Sequence, residues 1–388
     1  MFEISDTSGK TVRFLLNSSL VHIFNLILLF RKSDCQFSEP MKLNFFRLLL
    51  PIFMLTIITG CETDIDVTSD WKDITVVYGL ISQNDTVHYI KVNKAFLGDG
   101  NAFTYAQIAD SSSYGDNIEV TIIEKAKNGN TRTFKCDTTS IFNKEAGIFY
   151  YPTQIVYKAA FKVPADVNAQ DYNYSLEIRH KITGKVITAQ TPLVKNFTIE
   201  TPRPGQAYIN FTTESNQKIK WNSAKDGRRY NVTMRFWFDE VKMNSDTILR
   251  YIDWNFGSVK SSSTNGNEPL EIIYAPEGFF TNSINLIPYK NSDEENNVNS
   301  RLVNKAEFIF AVAGDELNTY MEVNEPSSGI VQEKPEYTNV ENGIGLFSCR
   351  FTKSSQDSYE QGKFMKIHPN SEERLIGSGM KFVKKVGN

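Results

Sequence analysis

Tyr230-Asn231-Val232-Thr233-Met234-Arg235-Phe236-Trp237-Phe238-Asp239 alternates without a break. Tyr230, Val232, Met234, Phe236 and Phe238 make one wholly apolar side, and Asn231, Thr233, Arg235, Trp237 and Asp239 a mostly polar one. Successive side chains of a strand point to opposite faces, so this period predicts a strand with one face in a core and the other in solvent.

The same period extends outward in both directions. Ile248, Ile252, Trp254 and Phe256 continue it downstream, and Phe308, Phe310 and Val312 mark another strand. Upstream, Ile74 to Tyr78 is an apolar run ended by Gly79; His88, Ile90 and Val92 then share a face opposite Val87, Tyr89 and Lys91. Ile118, Val120 and Ile122 alternate with Glu119 and Thr121, and the chain returns through Lys127-Asn128-Gly129-Asn130 into Thr131 to Cys136. Asn-Gly between two such runs predicts a hairpin, because both residues tolerate positive φ. A second hairpin is read from Tyr174, Leu176 and Ile178, a turn at Thr183-Gly184, and Val186 to Thr191.

Helix is scarce. Gly314 to Met321 predicts a short one, with Asp315 as N-cap and Leu317, Tyr320 and Met321 on one face. Ser261 to Pro269 and Asn291 to Ser300 read as polar loops. Thr201-Pro202-Arg203-Pro204-Gly205 suits neither helix nor strand and predicts a domain boundary. With 17 Tyr and 27 Phe, the composition favours strands. The expected fold is mainly β: two tandem antiparallel β-sandwich (immunoglobulin-like) domains with one short helix, over residues 74–200 and 201–388.

Leu55-Thr56-Ile57-Ile58-Thr59-Gly60-Cys61 resembles a bacterial lipobox. Lys42 and Arg47 supply a positive n-region, Phe45 to Ile58 a short apolar stretch, and Thr59-Gly60 the small residues before Cys61. The apolar run is shorter than the roughly 20 residues a spanning helix needs. Residues 41–60 therefore read as a lipoprotein signal peptide, Cys61 as the lipidated residue, and 61–73 as an acidic linker opening Glu62-Thr63-Asp64. Residues 1–40 read as an upstream extension ahead of an initiator at Met41; the alternative is a second membrane element built on Leu20 to Phe30.

Chemistry-bearing patterns are sparse. Net charge is −3 with no basic block, which gives nucleic acid no electrostatic footprint. Cys136 and Cys349 are read either as a disulfide or as two buried thiols. His88, His180 and His368 are isolated and no Cys-x-x-Cys occurs, so neither a metal nor a cofactor is expected. Asp99 and Asn101, and Asp293 to Glu295, lack the full ligand ladder of a calcium loop and read as solvated loops. Asp239, Glu240 and Asp253 are the carboxylates nearest to aromatic strands, the pair type a glycosidase needs, but their spacing reads as solvent-facing strand residues. Trp221, Trp237 and Trp254 are either ligand contacts or packing residues. Trp237, on the polar face of its strand, is the strongest ligand contact, with Tyr251 and Trp254 beside it in the proposed set. Asp85-Thr86-Val87, Asp137-Thr138-Thr139 and Asp246-Thr247-Ile248 resemble the Bacteroidota O-glycosylation pattern.

Tyr337-Thr338-Asn339-Val340-Glu341-Asn342-Gly343-Ile344-Gly345-Leu346-Phe347 follows the last strand and helix. It resembles the closing motif of a Bacteroidota lipoprotein family catalogued as domain of unknown function 4249. Tyr174 to Thr191 and Val76 to Ile81 are similar to its middle and its start; Ser348 stands where that pattern has a small apolar residue or glycine. The residues themselves read structurally: Asn342-Gly343 as a turn, Gly345 as a site of close backbone packing, Phe347 as core.

The resemblance implies a secreted lipoprotein associated with TonB-dependent receptors, and it carries no catalytic residues. The expected role is a non-enzymatic binding accessory to a TonB-dependent nutrient uptake system. It would be held at the outer membrane, at the cell surface or alternatively at the periplasmic face, by lipid on Cys61, with a glycan or peptide as ligand. The alternatives are a surface adhesin or assembly component, and a carbohydrate-active enzyme.

Overall fold

The computed structural model describes residues 2–5, 11–14, 72–97, 102–142, 144–287, 292–326 and 336–385. Residues 55–61 with Cys61, residues 61–71 of the expected linker, and the Asp99–Asn101 loop lie outside them; Lys72 and Asp73 already belong to the first strand of the larger unit. Met1–Val67 forms one unit, in which β1 (Phe2–Ser5) and β2 (Thr11–Phe14) make an antiparallel hairpin. Thr68–Asn388 forms the other.

In the larger unit the strands expected from alternation all form. They are β3 (Lys72–Ser82), β4 (Val87–Leu97), β5 (Ile118–Ala126), β6 (Thr131–Lys135), β7 (Asp137–Ile141), β8 (Gln154–Ala160), β9 (Tyr172–His180) and β10 (Val186–Pro192) in the first half, with short helices α1 (Ala102–Ala106) and α2 (Ala109–Ser112) after β4. The second half holds β11 (Ile199–Thr201), β12 (Tyr208–Ile209), β13 (Gln217–Asn222), β14 (Arg229–Lys242), β15 (Thr247–Lys260), β16 (Pro269–Tyr274), α3 (Asp293–Asn296), β17 (Val298–Ala313) and α4 (Asp315–Asn324). The chain closes with β18 (Val340–Glu341), β19 (Ile344–Ser354), β20 (Lys366–Ile367) and α5 (Pro369–Ile376). The fold is mainly β, with several short helices among the described residues where one was expected.

An eight-stranded sheet in the order β15-β14-β17-β19-β3-β4-β8-β7 is the backbone of this unit. A five-stranded sheet, β18-β10-β9-β5-β6, faces its β3–β4–β8 side. Phe161, just after β8, stacks on His88 of β4 at 4.2 Å and lies 6.0 Å from Tyr174 of β9. A three-stranded sheet, β11-β13-β16, faces its β14–β17 side, where Trp221 lies 5.3 Å from Phe310 and 5.8 Å from Tyr230. One continuous apolar cluster runs under both smaller sheets. The inner row of β14, Tyr230 to Phe238, is at most 2% exposed, and each such side chain contributes roughly 1.5–3 kcal/mol by burial.

Two features depart from the sequence reading. The eight-stranded sheet takes strands from both sides of Thr201–Gly205, so that stretch does not separate two sheet systems. The sheet is also mixed: β19 runs parallel to β3, from Ile344↔Val76 to Arg350↔Ser82, and antiparallel to β17. The Asn342–Phe347 motif makes this junction. Asn342 takes φ 59° and its Nδ2 donates to the Val186 carbonyl at 3.0 Å. Gly345 has φ +117°, and a Cβ there would lie 2.0 Å from the Val77 carbonyl oxygen. Phe347 is fully buried. Ser348 is buried too: its hydroxyl accepts from the Leu317 amide and bonds Glu316, tying α4 to the outer face of β19.

The helix α4 is present but turned relative to the expectation. Its N-cap is Gly314, Asp315 is its first residue, and Asn318 is its buried side chain. Met321 is 39% exposed. The buried surface is polar because the helix lies over Arg229, whose Nε donates to Asn318 at 3.0 Å.

Candidate functional site

The polar face of β14 is the outer face of the large sheet, away from both smaller sheets. Strand register sets three rows across it. Tyr251 of β15 stands opposite Trp237, and Asp253 opposite Arg235, which in turn faces Glu307 of β17. Asp239 lies one step further along, between Leu249 and Leu302.

Trp237 and Tyr251 have ring centroids 4.9 Å apart, tilted by 55°. They form an angled pair rather than a flat platform. Tyr251 is 49% exposed and Trp237 half-buried. The Arg235 guanidinium sits 3.9 Å from the Tyr251 centroid and 5.6 Å from that of Trp237, with Lys305 also 5.6 Å from Trp237. Cations over aromatic faces are attracted to the ring quadrupole. Hydrogen bonds fix Trp237 and the Arg235 that lies against Tyr251. Trp237 Nε1 donates to Glu307 Oε1 at 2.7 Å, and Ser354 Oγ donates to Glu307 Oε2 at 2.6 Å. Arg235 donates to both Asp253 oxygens at 2.8 Å, a bidentate pair that raises the guanidinium further above its usual range.

Beside this pair opens a cleft of about 450 Å³, lined by Asp239, Asn304, Phe364, Lys366, Glu372 and Lys385 among others. Asn304 donates to both Asp239 oxygens, at 3.3 and 3.1 Å. The C-terminal segment reaches this wall because β19 leaves β17 beyond Ile309, and a bridge from Ala306 to Met365 takes the vacated edge.

Trp254 does not belong to this face. It is 9% exposed on the inner side of β15, packed 4.5 Å from Phe256 and 5.6 Å from Tyr274. Residues three apart on a strand point to opposite faces, so Tyr251 and Trp254 cannot share one. Trp221 is fully buried core.

The three carboxylates considered as a catalytic set do not converge. Asp253 pairs with Arg235, Asp239 binds Asn304, and Glu240 points into the interior. There it meets the fully buried Arg301, whose guanidinium contacts Glu240 Oε2 at 3.0 Å and Glu295 Oε2 at 2.6 Å and donates to the Met380 carbonyl at 2.9 Å. Burial works to raise the Glu240 carboxyl, but hydrogen bonds from Lys242 and Arg301 outweigh it and hold the group below its ordinary range. Glu295 sits in α3 and is 4% exposed, so it is a structural ion-pair residue, while Asp293 and Glu294 beside it are exposed.

Cys136 and Cys349 are free and buried, and burial pushes both thiols up to about 12. Thr86, Thr138 and Thr247 of the three Asp-Thr motifs are exposed. Among the described residues no group of three or more His, Cys, Asp or Glu is placed to hold a metal, and no helix is long and apolar enough to cross a membrane.

Arg235 and Asp239 on the polar side of β14 were visible in its alternation. Lys305, Glu307 and Asn304 were not, because nothing local to Val303–Phe308 shows that this segment lies beside Trp237. No protein-family model matches the chain, and no curated protein matches it.

Proposed function

We propose that the protein is an outer-membrane lipoprotein, anchored through Cys61 at the cell surface, that binds a glycan as a non-enzymatic accessory to a TonB-dependent uptake system. The observation that carries the binding role is the Trp237–Tyr251 pair on an open sheet face, braced from below and bordered by a polar cleft. Aromatic rings stack on the C–H faces of sugars. Asp239, Asn304 and Lys366 alongside offer the acceptors and donors that sugar hydroxyls need. The lipobox and the Tyr337–Phe347 resemblance support the anchoring and the receptor association. In this reading the two sandwich domains are two sandwich-like halves, divided near residues 200–201, that share one sheet.

The test of the receptor role is a pull-down from detergent-solubilised outer membrane with the lipidated protein as bait. Recovery of a barrel receptor is expected; recovery of none counts against it. The anchoring predicts that Cys61→Ala abolishes incorporation of labelled fatty acid, and continued labelling of that variant contradicts it.

The assembly reading is favoured by one observation. β15 is a 14-residue edge strand with Ile248 40% and Leu249 51% exposed, a template for pairing with another strand. Light scattering separates the two readings: the binding role expects no self-association through this edge, the assembly role an oligomer lost on Leu249→Lys.

A further inference from the structure

A second exposed surface lies at the opposite flank of the large sheet. Phe103 is 65% exposed, Tyr105 40%, Phe142 73%, Ile148 56%, Phe149 57% and Tyr151 50%. They come from α1 and from the loop between β7 and β8. Backbone and side-chain bonds join these segments. The Tyr150 amide donates to the Ala106 carbonyl at 2.8 Å, the Lys144 amide to the Pro152 carbonyl at 3.2 Å, and Lys144 Nζ to the Tyr150 carbonyl at 2.7 Å. Asn93 Nδ2 donates to the Ser112 carbonyl at 2.8 Å and fixes α2 to β4. The side chains are therefore presented on a held scaffold.

The position of this surface follows from register. β3 begins at Lys72, paired with Leu97 at the end of β4. β8 runs antiparallel to β4, with Val87↔Ala160 and Ile90↔Tyr157, so its start at Gln154 and the loop before it lie toward the same end. The chain thus comes into the sheet beside the aromatic surface. Only ten residues, 62–71, lie between Cys61 and Lys72, a reach of at most roughly 36–40 Å when fully extended.

We infer that this aromatic end rests in the interfacial layer of the membrane to which the protein is anchored, with Phe103, Phe142, Ile148 and Phe149 among the lipid headgroups. The inference rests on the lipid-anchor reading above. Aromatic and branched apolar side chains on short loops suit the headgroup region, where one end of the ring is apolar and the other wet. Lys144, 5.5 Å from the Phe149 ring, carries its charge at the same level. Lys91 and Lys94 of β4 lie near Lys144 and Asp110, and Asp110 and Glu145 are exposed, so charges of both signs border the surface and it needs no anionic headgroup. The same orientation directs the Trp237–Tyr251 face sideways to the membrane, at the far end of the strand order from β7.

The test uses the mature lipidated protein in vesicles of phosphatidylethanolamine and phosphatidylcholine. Phe149→Cys and, as a control of similar exposure in β16, Ile273→Cys are each labelled with an environment-sensitive fluorophore. The buried Cys136 and Cys349 stay unlabelled in the folded protein. Spin-labelled lipid is expected to quench the probe at 149 several-fold more than the probe at 273, with a blue-shifted emission. If the protein sediments with the vesicles while both probes stay equally aqueous, the anchor stands and the inference is overturned. Protein that does not sediment at all overturns both. Shielding at 149 that appears only after outer-membrane proteins are added assigns the surface to a protein partner, and overturns the lipid contact.

Discussion

Arg301 shows how much one residue can hold. It is fully buried between Glu240 and Glu295. Arg301→Met leaves both carboxylates in the interior without their main partner, and breaking such a pair costs about 3–5 kcal/mol. Chemical denaturation should show a loss of this size; a loss below about 1 kcal/mol would mean that Lys242 and Lys381 suffice. His88 is the second test at this scale. Burial is the main cause that lowers its pKa from 6.5; Asp85 and the Phe161 backbone pull it up and Arg350 pulls it down. The imidazole therefore stays neutral to a lower pH in the folded protein than in the unfolded chain, which takes up a proton below about 6.5. Its contribution is full above that value and is lost as pH falls toward the depressed folded one. His88→Phe should flatten the fall in Tm as pH drops below about 6.5, and an unchanged slope would place the acid sensitivity elsewhere. The inward position of His88 was legible, since it shares a period with Ile90 and Val92. The Arg301 site was not: Glu295 sits in a run of Asp, Glu and Asn that reads as solvated, and its burial depends on a partner supplied by the following strand.

Among the elements, β14 was the most legible and β19 the least. The alternation of β14 gives its two faces, and with them Trp237 as an outer residue. The same period, applied from Tyr251 to Trp254, already divides those two side chains between opposite faces. β19 reads as a motif without a direction. Its parallel pairing with β3 depends on a backbone approach that no local pattern encodes, although Gly345 marks the place. Gly345→Ala would set a Cβ 2.0 Å from the Val77 carbonyl oxygen at φ +117°. Strain of the backbone and displacement of β3 together should cost more than about 2 kcal/mol. A denaturation midpoint equal to the parent's would show that β19 does not insert as described. The helix α4 was placed correctly in the chain, but its buried face was not. Its buried side chain is Asn318, held by Arg229, and Ser348 binds its first turn; of the expected apolar stripe Tyr320 meets Tyr78 while Met321 stays exposed.

At the level of the whole molecule, the proline-rich stretch at Thr201–Gly205 bends the chain without dividing the main sheet. Prolines and glycine mark a break in regular structure, and a sheet shared across that break is a long-range feature that composition does not encode. Because β19 joins β3 to β17 within one sheet, the two halves should unfold together. Scanning calorimetry should show one transition for the larger unit, and added reductant should leave it unmoved, since Cys136 and Cys349 are free. Two resolved transitions would show a pair of independent domains. The functional account turns on the outer face of β14 and β15. The most direct measurement is retention of the protein on an oligosaccharide panel, compared between the parent and Tyr251→Ala. Tyr251 is exposed and lies outside the core, so the variant should fold as the parent does. The account predicts that the parent is retained by at least one glycan and that the variant binds it about tenfold or more weakly, or about 1.4 kcal/mol. A parent that no glycan retains, or a variant retained equally well, contradicts it.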